Sequence, residues 1–320
     1  MLKRPIWLSM VYPRVILLLV LLIPGLSLAD DRLPAPRQVS DHAWAWIGPY
    51  GPPTRENGGF RMNLGFVLGD DAVAVIDSGY GGAMAEAMLG QIRDITDKPV
   101  RYVINTNSQP HRIMGNPVFR RSGAEVIAAG GALPRIAAEA QSFALTVEDV
   151  LGLAPGSVLV PGTPSVTVNE ETPLDLGGIQ LRVIPVGDAH TPGSLVVAVD
   201  ADALVFAGDL LYGGRLLSIL AKSHIRGWID AFEKLRHFDN ALFVPGHGEP
   251  GPLSVFDHST YDYLTTLKQH MDQAVEEDID LQDAIGSFDA SAWEGLADFA
   301  ALAGRNAHQA YLQSEAAAFE

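Results

Sequence analysis

Four side chains that can bind a metal ion share one setting in the sequence. His111, His190, Asp209 and His247 each follow the end of a predicted strand, beside glycine or proline. Because a sheet fixes the loops at the ends of its strands, side chains far apart in sequence can meet there. Imidazole and carboxylate groups together suit zinc. Any one of these histidines alone is better explained as a loop residue bonded to backbone, so the repeated setting is what favours a metal site.

The elements that must position these residues alternate between strands and helices. Apolar residues at helical spacing predict helices, and runs of alternating or β-branched residues predict strands. The predicted strands are 64–68, 72–76, 100–104, 165–168, 174–176, 179–184, 194–199, 203–207 and 242–244. The predicted helices are 82–95, 132–144, a segment from Trp228 to Phe238, and the remainder from about Phe256. Residues 48–59 and 105–117 are predicted to be loops. This pattern indicates two sheets with helices outside them.

Composition limits the classes of protein that this chain can represent. The 320 residues are 48% apolar, which is enough for a sizeable core and excludes disorder. The absence of cysteine excludes disulfides, thiolate nucleophiles and cysteine-ligated metals. A net charge of −16 repels phosphate backbones and anionic lipids. We therefore expect a small-molecule substrate as partner, and neither nucleic acid nor stable membrane insertion.

Several motifs in fixed order resemble the metallo-β-lactamase fold superfamily. They are Val75-Ile76-Asp77-Ser78-Gly79, Asn105-Thr106, the Gly-x-x-His-Thr-x-Gly of 187–193, Ala207-Gly208-Asp209 and Pro245-Gly246-His247-Gly248. The resemblance implies an α/β fold, a four-layer αββα sandwich with its metals at one edge. Three further segments look most like the quinoprotein relay system zinc metallohydrolases of periplasmic oxidation pathways: Met114-Gly115-Asn116, Arg226-Gly227-Trp228 and the tail 305–312.

The family's metal-binding motif is altered in this chain. Where the family reads His-x-His-x-Asp-His, this sequence has Asn107, Gln109, His111 and Arg112. The resemblance implies a first metal site from positions 107, 109 and 190, and a second from 111, 112 and 247, with Asp209 bridging the two. An arginine stays protonated and cannot coordinate a metal. A standard dinuclear zinc centre is therefore not expected.

Two interpretations of the altered site remain open. In the first, His111, Asp209 and His247, with His190 as a candidate fourth ligand, bind one zinc, whose water attacks an ester, lactone, thioester or amide. Asn107 and Gln109 are then polar donors to the substrate or its oxyanion. In the second, Arg112 takes the place of the metal and pairs with Asp209. The protein is then a binding or accessory protein of a periplasmic oxidation pathway, without metal.

Asp77 matches a family position beside the site. The resemblance implies that it orients a ligand loop, although an aspartate that ends a strand in a turn is an equally good explanation. With Asn107, Gln109 and Arg112, it completes the set of candidate polar groups around the metal ligands.

The chain begins with the pattern of a secretory signal peptide. Lys3, Arg4 and Arg14 flank the apolar run 15–23, and small residues occupy positions 27 and 29. The run is shorter than the roughly 20 residues that span a membrane. We expect cleavage after Ala29 and a periplasmic protein. Residues 30–255 are predicted to form a metallo-β-lactamase-like domain, and 256–320 a helical C-terminal extension packed on it, while a periplasmic protein partner stays open.

Overall fold

In the computed structural model, which describes residues 33–319, the strands form two sheets. The first has seven strands in chain order, β1 to β7: Arg37–Gln38, Ala43–Trp46, Leu64–Leu68, Val73–Ile76, Val100–Ile104, Glu125–Ala129 and Val166–Val168. Pairing is antiparallel up to β4 and parallel from β4 to β7. The predicted signal peptide lies outside the described residues.

The second sheet has five strands in the order β12-β11-β10-β9-β8. These strands, from β8 to β12, are Thr172–Asp175, Gln180–Gly187, Ser194–Val199, Leu204–Tyr212 and Leu242–His247. All neighbours are antiparallel except β11 and β12, which run parallel. β10 and β11 are buried along their whole length, as expected for strands covered on both faces.

Eight α-helices surround the sheets in residues 33–319. In order, α1 to α8 are Gly82–Ile95, Pro110–Ile113, Asn116–Arg121, Leu133–Leu151, Ile225–Leu235, Tyr263–Glu276, Leu281–Ser287 and Phe299–Ala318. None of the helices in this part of the chain is long and apolar enough to cross a membrane.

Three apolar cores separate four layers. Ala74, Val197 and Phe206 belong to the core between the two sheets. Met88 of α1 packs into the core that covers the outer face of the first sheet. Trp228 of α5, together with residues of α6 and α8, covers the outer face of the second sheet. The architecture is the predicted αββα sandwich, with additional C-terminal helices.

Two predicted boundaries near the candidate site are wrong. Segment 105–117 was expected to be a loop, but it contains α2 and the start of α3, since Pro110 and Pro117 each favour the first turn of a helix. The strand predicted to end at Ala207 continues as β11 to Tyr212, through an irregular register at Gly208, where φ is +52°. Asp209 and His247 therefore lie within strands and not after them, because a bulge lets the ladder continue past Gly208.

The C-terminal helices pack on the second sheet. Leu267 of α6 and Ala310 of α8 lie in the same core as Trp228. The backbone also joins this region to the segment that follows β11: Leu216 N–H donates to the carbonyl of Ala297 at 2.9 Å, and Ala297 N–H donates to that of Gly214 at 3.1 Å.

Candidate functional site

The candidate site lies at one edge of the sandwich, where both sheets end. Asp77 directly follows β4 and adopts a left-handed conformation (φ 63°). Its carboxylate accepts hydrogen bonds from the backbone N–H and hydroxyl of Thr106, at 2.7 and 2.8 Å. Asn105 and Asn116 exchange amide hydrogen bonds of 3.1 and 2.8 Å across the next turn. These contacts hold the segment that carries His111 and Arg112.

Asp209 is the centre of the cluster. Its Oδ2 accepts from Asn107 Nδ2 at 2.8 Å and lies 3.2 Å from His111 Nε2. Its Oδ1 lies 3.3 Å from His247 Nε2. Parallel pairing of β11 with β12 brings Asp209 beside His247. The close approach needs glycine at 246, because a Cβ there would lie 2.4 Å from Asp209 Oδ1.

Arg112 lies beneath this cluster and is fully buried. Its Nε and Nη2 bind the two oxygens of Asp209 at 3.1 and 2.5 Å. Nη1 donates to the carbonyl of Asn63 at 2.6 Å and to Asp77 Oδ2 at 3.1 Å, and Nη2 also donates to the carbonyl of Gly246 at 3.1 Å. All five N–H groups of the guanidinium thus have acceptors. One side chain therefore joins the start of β3 and the ends of β4 and β12 to Asp209 within β11.

Burial sets the charge state of the cluster. It lowers the pKa of His111 and of His190 to about 4, and lowers the pKa of His247 well below its usual value. Burial alone would raise the pKa of Asp209, but the guanidinium of Arg112 and the contacts of His111 and His247 together outweigh burial and hold that pKa well below its usual range. Three neutral imidazoles therefore surround one ionised carboxylate at neutral pH.

Asp77 titrates differently from Asp209. Burial raises the pKa of Asp77 to about 6, although Arg112 and the hydrogen bonds from Thr106 oppose this shift. At neutral pH two buried carboxylates therefore share a single guanidinium. The cluster carries one uncompensated negative charge, which favours an added cation.

The hydrogen bonds of His247 also fit a cation. Its Nδ1 lies 2.9 Å from the carbonyl oxygen of Arg61, which can only accept, so Nδ1 carries the proton. The unprotonated Nε2 then faces Asp209 Oδ1, and two acceptors meet at 3.3 Å. A metal ion between them would turn this repulsion into coordination.

His111, Asp209 and His247 satisfy a geometric test for one metal ion. Their three ligand atoms all lie within 4.8 Å of one another. The two imidazoles approach different oxygens of Asp209: His111 Nε2 lies 3.2 Å from Oδ2, and His247 Nε2 lies 3.3 Å from Oδ1. Coordination also requires neutral imidazoles and an ionised carboxylate, as found here. These three residues fit a single zinc ion.

His190 and the two amides occupy the position implied for a first metal. His190 Nε2 lies 3.9 Å from Asp209 Oδ2 and 3.0 Å from Gln109 Nε2. If the amide donates to that ring nitrogen, His190 Nδ1 carries the proton, and this buried atom has no hydrogen-bond partner among the described residues. Asn107 donates to Asp209. It does not line the cavity beside His111 and His247, in contrast to the expectation that it faces the substrate.

A cavity of about 210 Å³ opens above His111 and His247. Its wall includes residues that the sequence analysis did not single out, and Tyr212 is one of them. Tyr212 stacks on His247 with ring centroids 5.0 Å apart. Burial raises the pKa of the Tyr212 phenol, so this side chain stays protonated. Its position three residues after Asp209 in the same strand was the only sequence signal for it.

Arg61 and Arg215 also line this cavity, and both form ion pairs with Asp298. Sequence reasoning missed all three residues, since they are far apart in the chain and match none of the motifs.

Comparisons with known proteins agree with the fold. The model of the metallo-beta-lactamase superfamily matches residues 58–247, a span that contains Asp77, Arg112 and all the candidate metal ligands. A metallo-beta-lactamase from Pontibacter korlensis is similar with a TM-score of 0.58 and 22% identity, over 72% of this chain and 98% of that one. The DIM-1 metallo-beta-lactamase exposed to ceftazidime is similar with a TM-score of 0.57 and 18% identity, over 74% of this chain and 99% of that one. At these identities the two structures indicate a shared fold.

Proposed function

Because the chain belongs to the metallo-β-lactamase superfamily, we propose that it is a hydrolase that binds one zinc ion through His111, Asp209 and His247. The substrate is a small molecule with an ester, lactone, thioester or amide bond. The observation that carries this proposal is the convergence of three ligand atoms within 4.8 Å, in the protonation states that coordination needs.

Zinc, when bound, acidifies a water molecule and polarises a carbonyl group. The chain itself prepares the site for this ion. Arg112 fixes the plane of the Asp209 carboxylate through a two-point contact. The carbonyl of Arg61 fixes the tautomer of His247, and the ring of Tyr212 packs against its face. These contacts orient the ligands before the metal binds, which lowers the cost of forming the site.

Gln109 is the amide placed to contact the substrate. It lines the cavity, and one of its amide hydrogens is used by His190. The second hydrogen can donate to a carbonyl oxygen on which negative charge develops. Asp77 lies behind Arg112 and does not line the cavity, so it acts as a positioning residue.

A metal-free binding protein is the alternative. The observation that favours it is the two-point contact of Arg112 with both Asp209 oxygens, which places a fixed positive charge beside the carboxylate. The cavity of about 210 Å³ would then hold a small molecule without cleaving it. An accessory role in a periplasmic oxidation pathway belongs to this alternative.

Metal content separates the two functions. Purified protein is loaded with zinc, dialysed and analysed by mass spectrometry for metal, together with His111→Ala, His247→Ala and Asp209→Asn. We expect about one zinc per chain in the wild type and loss in all three variants, since each removes a strong ligand. His237→Ala is the matched control, because this exposed histidine contacts only the backbone of its own helix. Asn107→Ala should keep the metal, since an amide is a weak zinc ligand.

Hydrolysis is then tested with an ester, a lactone, a thioester and a β-lactam as reporters. The proposal expects turnover of at least one of them that a chelator abolishes and zinc restores. Absence of bound zinc in correctly folded wild-type protein would contradict the proposal and support the binding protein.

A further inference from the structure

Two arginines on the cavity wall share a single aspartate. Arg61 and Arg215 line the same cavity as His111 and His247. The Nε of Arg215 donates to Asp298 Oδ2, and Nη2 of Arg61 lies 3.6 Å from the same oxygen. The side chains of Arg61 and Arg215 are only 16% and 6% exposed. Both guanidinium groups are therefore held at the cavity wall and do not extend into solvent.

Asp298 comes from the C-terminal region, where its carbonyl accepts the first backbone hydrogen bonds of α8. It occupies the position before α8, where an aspartate normally caps the helix, yet its side chain makes no capping hydrogen bond. Its φ of 62° is left-handed, a conformation that aspartate tolerates better than most residues. The backbone pairing of Ala297 with Gly214 and Leu216 fixes this carboxylate beside Arg215.

The arginine pair leaves hydrogen-bond donors unused. Within residues 33–319, no acceptor lies within hydrogen-bond distance of the two Nη groups of Arg215, and the guanidinium of Arg61 has only the 3.6 Å ion pair. Two like charges with one counter-charge repel each other, and an anion in the cavity would relieve that repulsion.

The charges around the cavity point to a ligand with one negative charge. Two guanidiniums and one carboxylate leave a surplus of one positive charge at this wall. The cavity lining contains no acidic side chain: its other members are Pro53, Tyr80, Gln109, Pro110, His111, His190, Tyr212, Ser218 and His247. Asp209 below the cavity is paired with Arg112. A local positive wall favours an anion here, although the net charge of the protein is −16.

We infer that Arg61 and Arg215, positioned by Asp298, bind a carboxylate group of the substrate. The planar fork of arginine matches a carboxylate and can bind it through two hydrogen bonds. The role of this carboxylate as part of a hydrolysed substrate rests on the proposed function, whereas anion binding itself does not. The C-terminal region thus contributes a positioning residue, Asp298, to this site. The proposed metal ligands all lie within residues 58–247, which match the family model.

Calorimetric titration of the protein with benzoate, and with benzamide as the neutral analogue, tests this inference. We expect benzoate to bind and benzamide to bind much more weakly. Arg215→Gln and Arg61→Gln should each weaken benzoate binding by about tenfold or more, since each removes one partner of a charge pair. Arg37→Gln is the matched control: it also breaks an arginine–carboxylate pair, with Glu249 at 2.6 Å, but on the exposed surface. Unfolding temperatures check that each variant is folded.

The same titrations after removal of metal by a chelator separate this inference from the proposed function. Binding of benzoate that depends on the arginines and persists without metal supports the inference even if no ester is hydrolysed. Zinc-dependent hydrolysis with equal benzoate affinity in wild type and both arginine variants would overturn the inference and leave the proposed function intact.

Asp298→Asn tests the positioning role by changing charge selectivity. Asparagine has nearly the same size and also tolerates the left-handed conformation, so only the charge changes. The wall then carries two surplus positive charges, and affinity for phthalate, a dianion, should rise relative to benzoate by about fivefold or more. A merely structural role would weaken both ligands alike, and an unchanged ratio would show that Asp298 does not set the charge of this wall.

Discussion

Arg112 and Asp209 form a two-point ion pair in the interior of the protein, with Nη2···Oδ1 at 2.5 Å and Nε···Oδ2 at 3.1 Å. Both side chains are at most 1% exposed. The same guanidinium also holds Asp77, so two buried carboxylates share its single positive charge. Arg112 therefore fills this part of the site. All five N–H groups of its guanidinium have acceptors, and the side chain supports the carboxylate of Asp209.

Loss of this guanidinium should strongly destabilise the protein. Arg112→Met keeps the length of the side chain but leaves Asp77 and Asp209 buried without a partner, and the free energy of unfolding should fall by about 3–5 kcal/mol. Arg112→Lys keeps the positive charge but cannot make the two-point contact of a guanidinium, so the free energy of unfolding should fall by a smaller amount. Urea unfolding monitored by circular dichroism measures both.

The matched control for this prediction is Arg182→Met. Arg182 binds both oxygens of Asp200 at 2.7 Å, with the same two-point geometry, but that pair is exposed. Its loss should cost at most about 1 kcal/mol. If both variants lose the same free energy of unfolding, the buried ion pairs of Arg112 contribute no more to stability than the exposed pair of Arg182.

Acidification should destabilise the protein through His190. Its folded pKa of about 4 lies below the ordinary value of 6.5, so the unfolded chain binds more protons between these two values. Stability from this group is complete above pH 6.5 and is lost as the pH falls toward 4. The loss is of the order of 3 kcal/mol. His111 acts in the same direction, and Asp77, whose pKa is raised to about 6, acts in the opposite one.

His190→Gln isolates the contribution of this histidine. Urea unfolding across this pH range should show a shallower dependence of stability on pH than in the wild type, because glutamine does not titrate. His237→Gln, at an exposed position, should leave the dependence unchanged. The idea fails if His190→Gln and wild type lose stability in parallel.

A second metal site can be rebuilt beside His190. Asn107 and Gln109 hydrogen-bond to Asp209 and His190, so imidazoles at these two positions would join His190 around one point. The double variant Asn107→His/Gln109→His should raise the zinc content from about one to about two per chain, since three imidazoles form a zinc site. It keeps Arg112 and therefore the support of Asp209.

The control for the rebuilt site is Asn107→Gln/Gln109→Asn, which preserves the amides and changes only their lengths. It should bind no additional zinc. The circular dichroism spectrum checks that the histidine variant is folded. If the folded variant binds no more zinc than the wild type, the side chains at 107 and 109 do not point toward His190.

Export should remove the first 29 residues. The small residues at 27 and 29 after a short apolar run predict a mature chain that begins at Asp30. Intact-mass analysis of protein from the periplasmic fraction measures this directly. Full-length chains that remain in the membrane fraction would contradict both the cleavage and the periplasmic location.

The local sequence pattern was sufficient to predict most of the strands and helices. Strands 64–68, 100–104 and 194–199 and helix 82–95 have the predicted bounds, because alternation, helical spacing and turn residues act within a few positions of each other. The length of β11 was underestimated, since the irregular pairing at Gly208 depends on β12, which lies more than thirty residues further along the chain. The two short helices after β5 escaped prediction because loop-forming residues there also begin helical turns.

The sequence alone was enough to predict the fold class and to name His111, Asp209 and His247 among its candidate metal ligands, because both depend on residue type and local spacing. Only the tertiary structure decided that Arg112 clamps Asp209 and Asp77, that His190 lies apart from the other three ligands, and that Asp298 joins Arg61 to Arg215. The physical reason is that each of these contacts depends on distances and burial between elements remote in sequence. Residue type alone sets neither of these quantities.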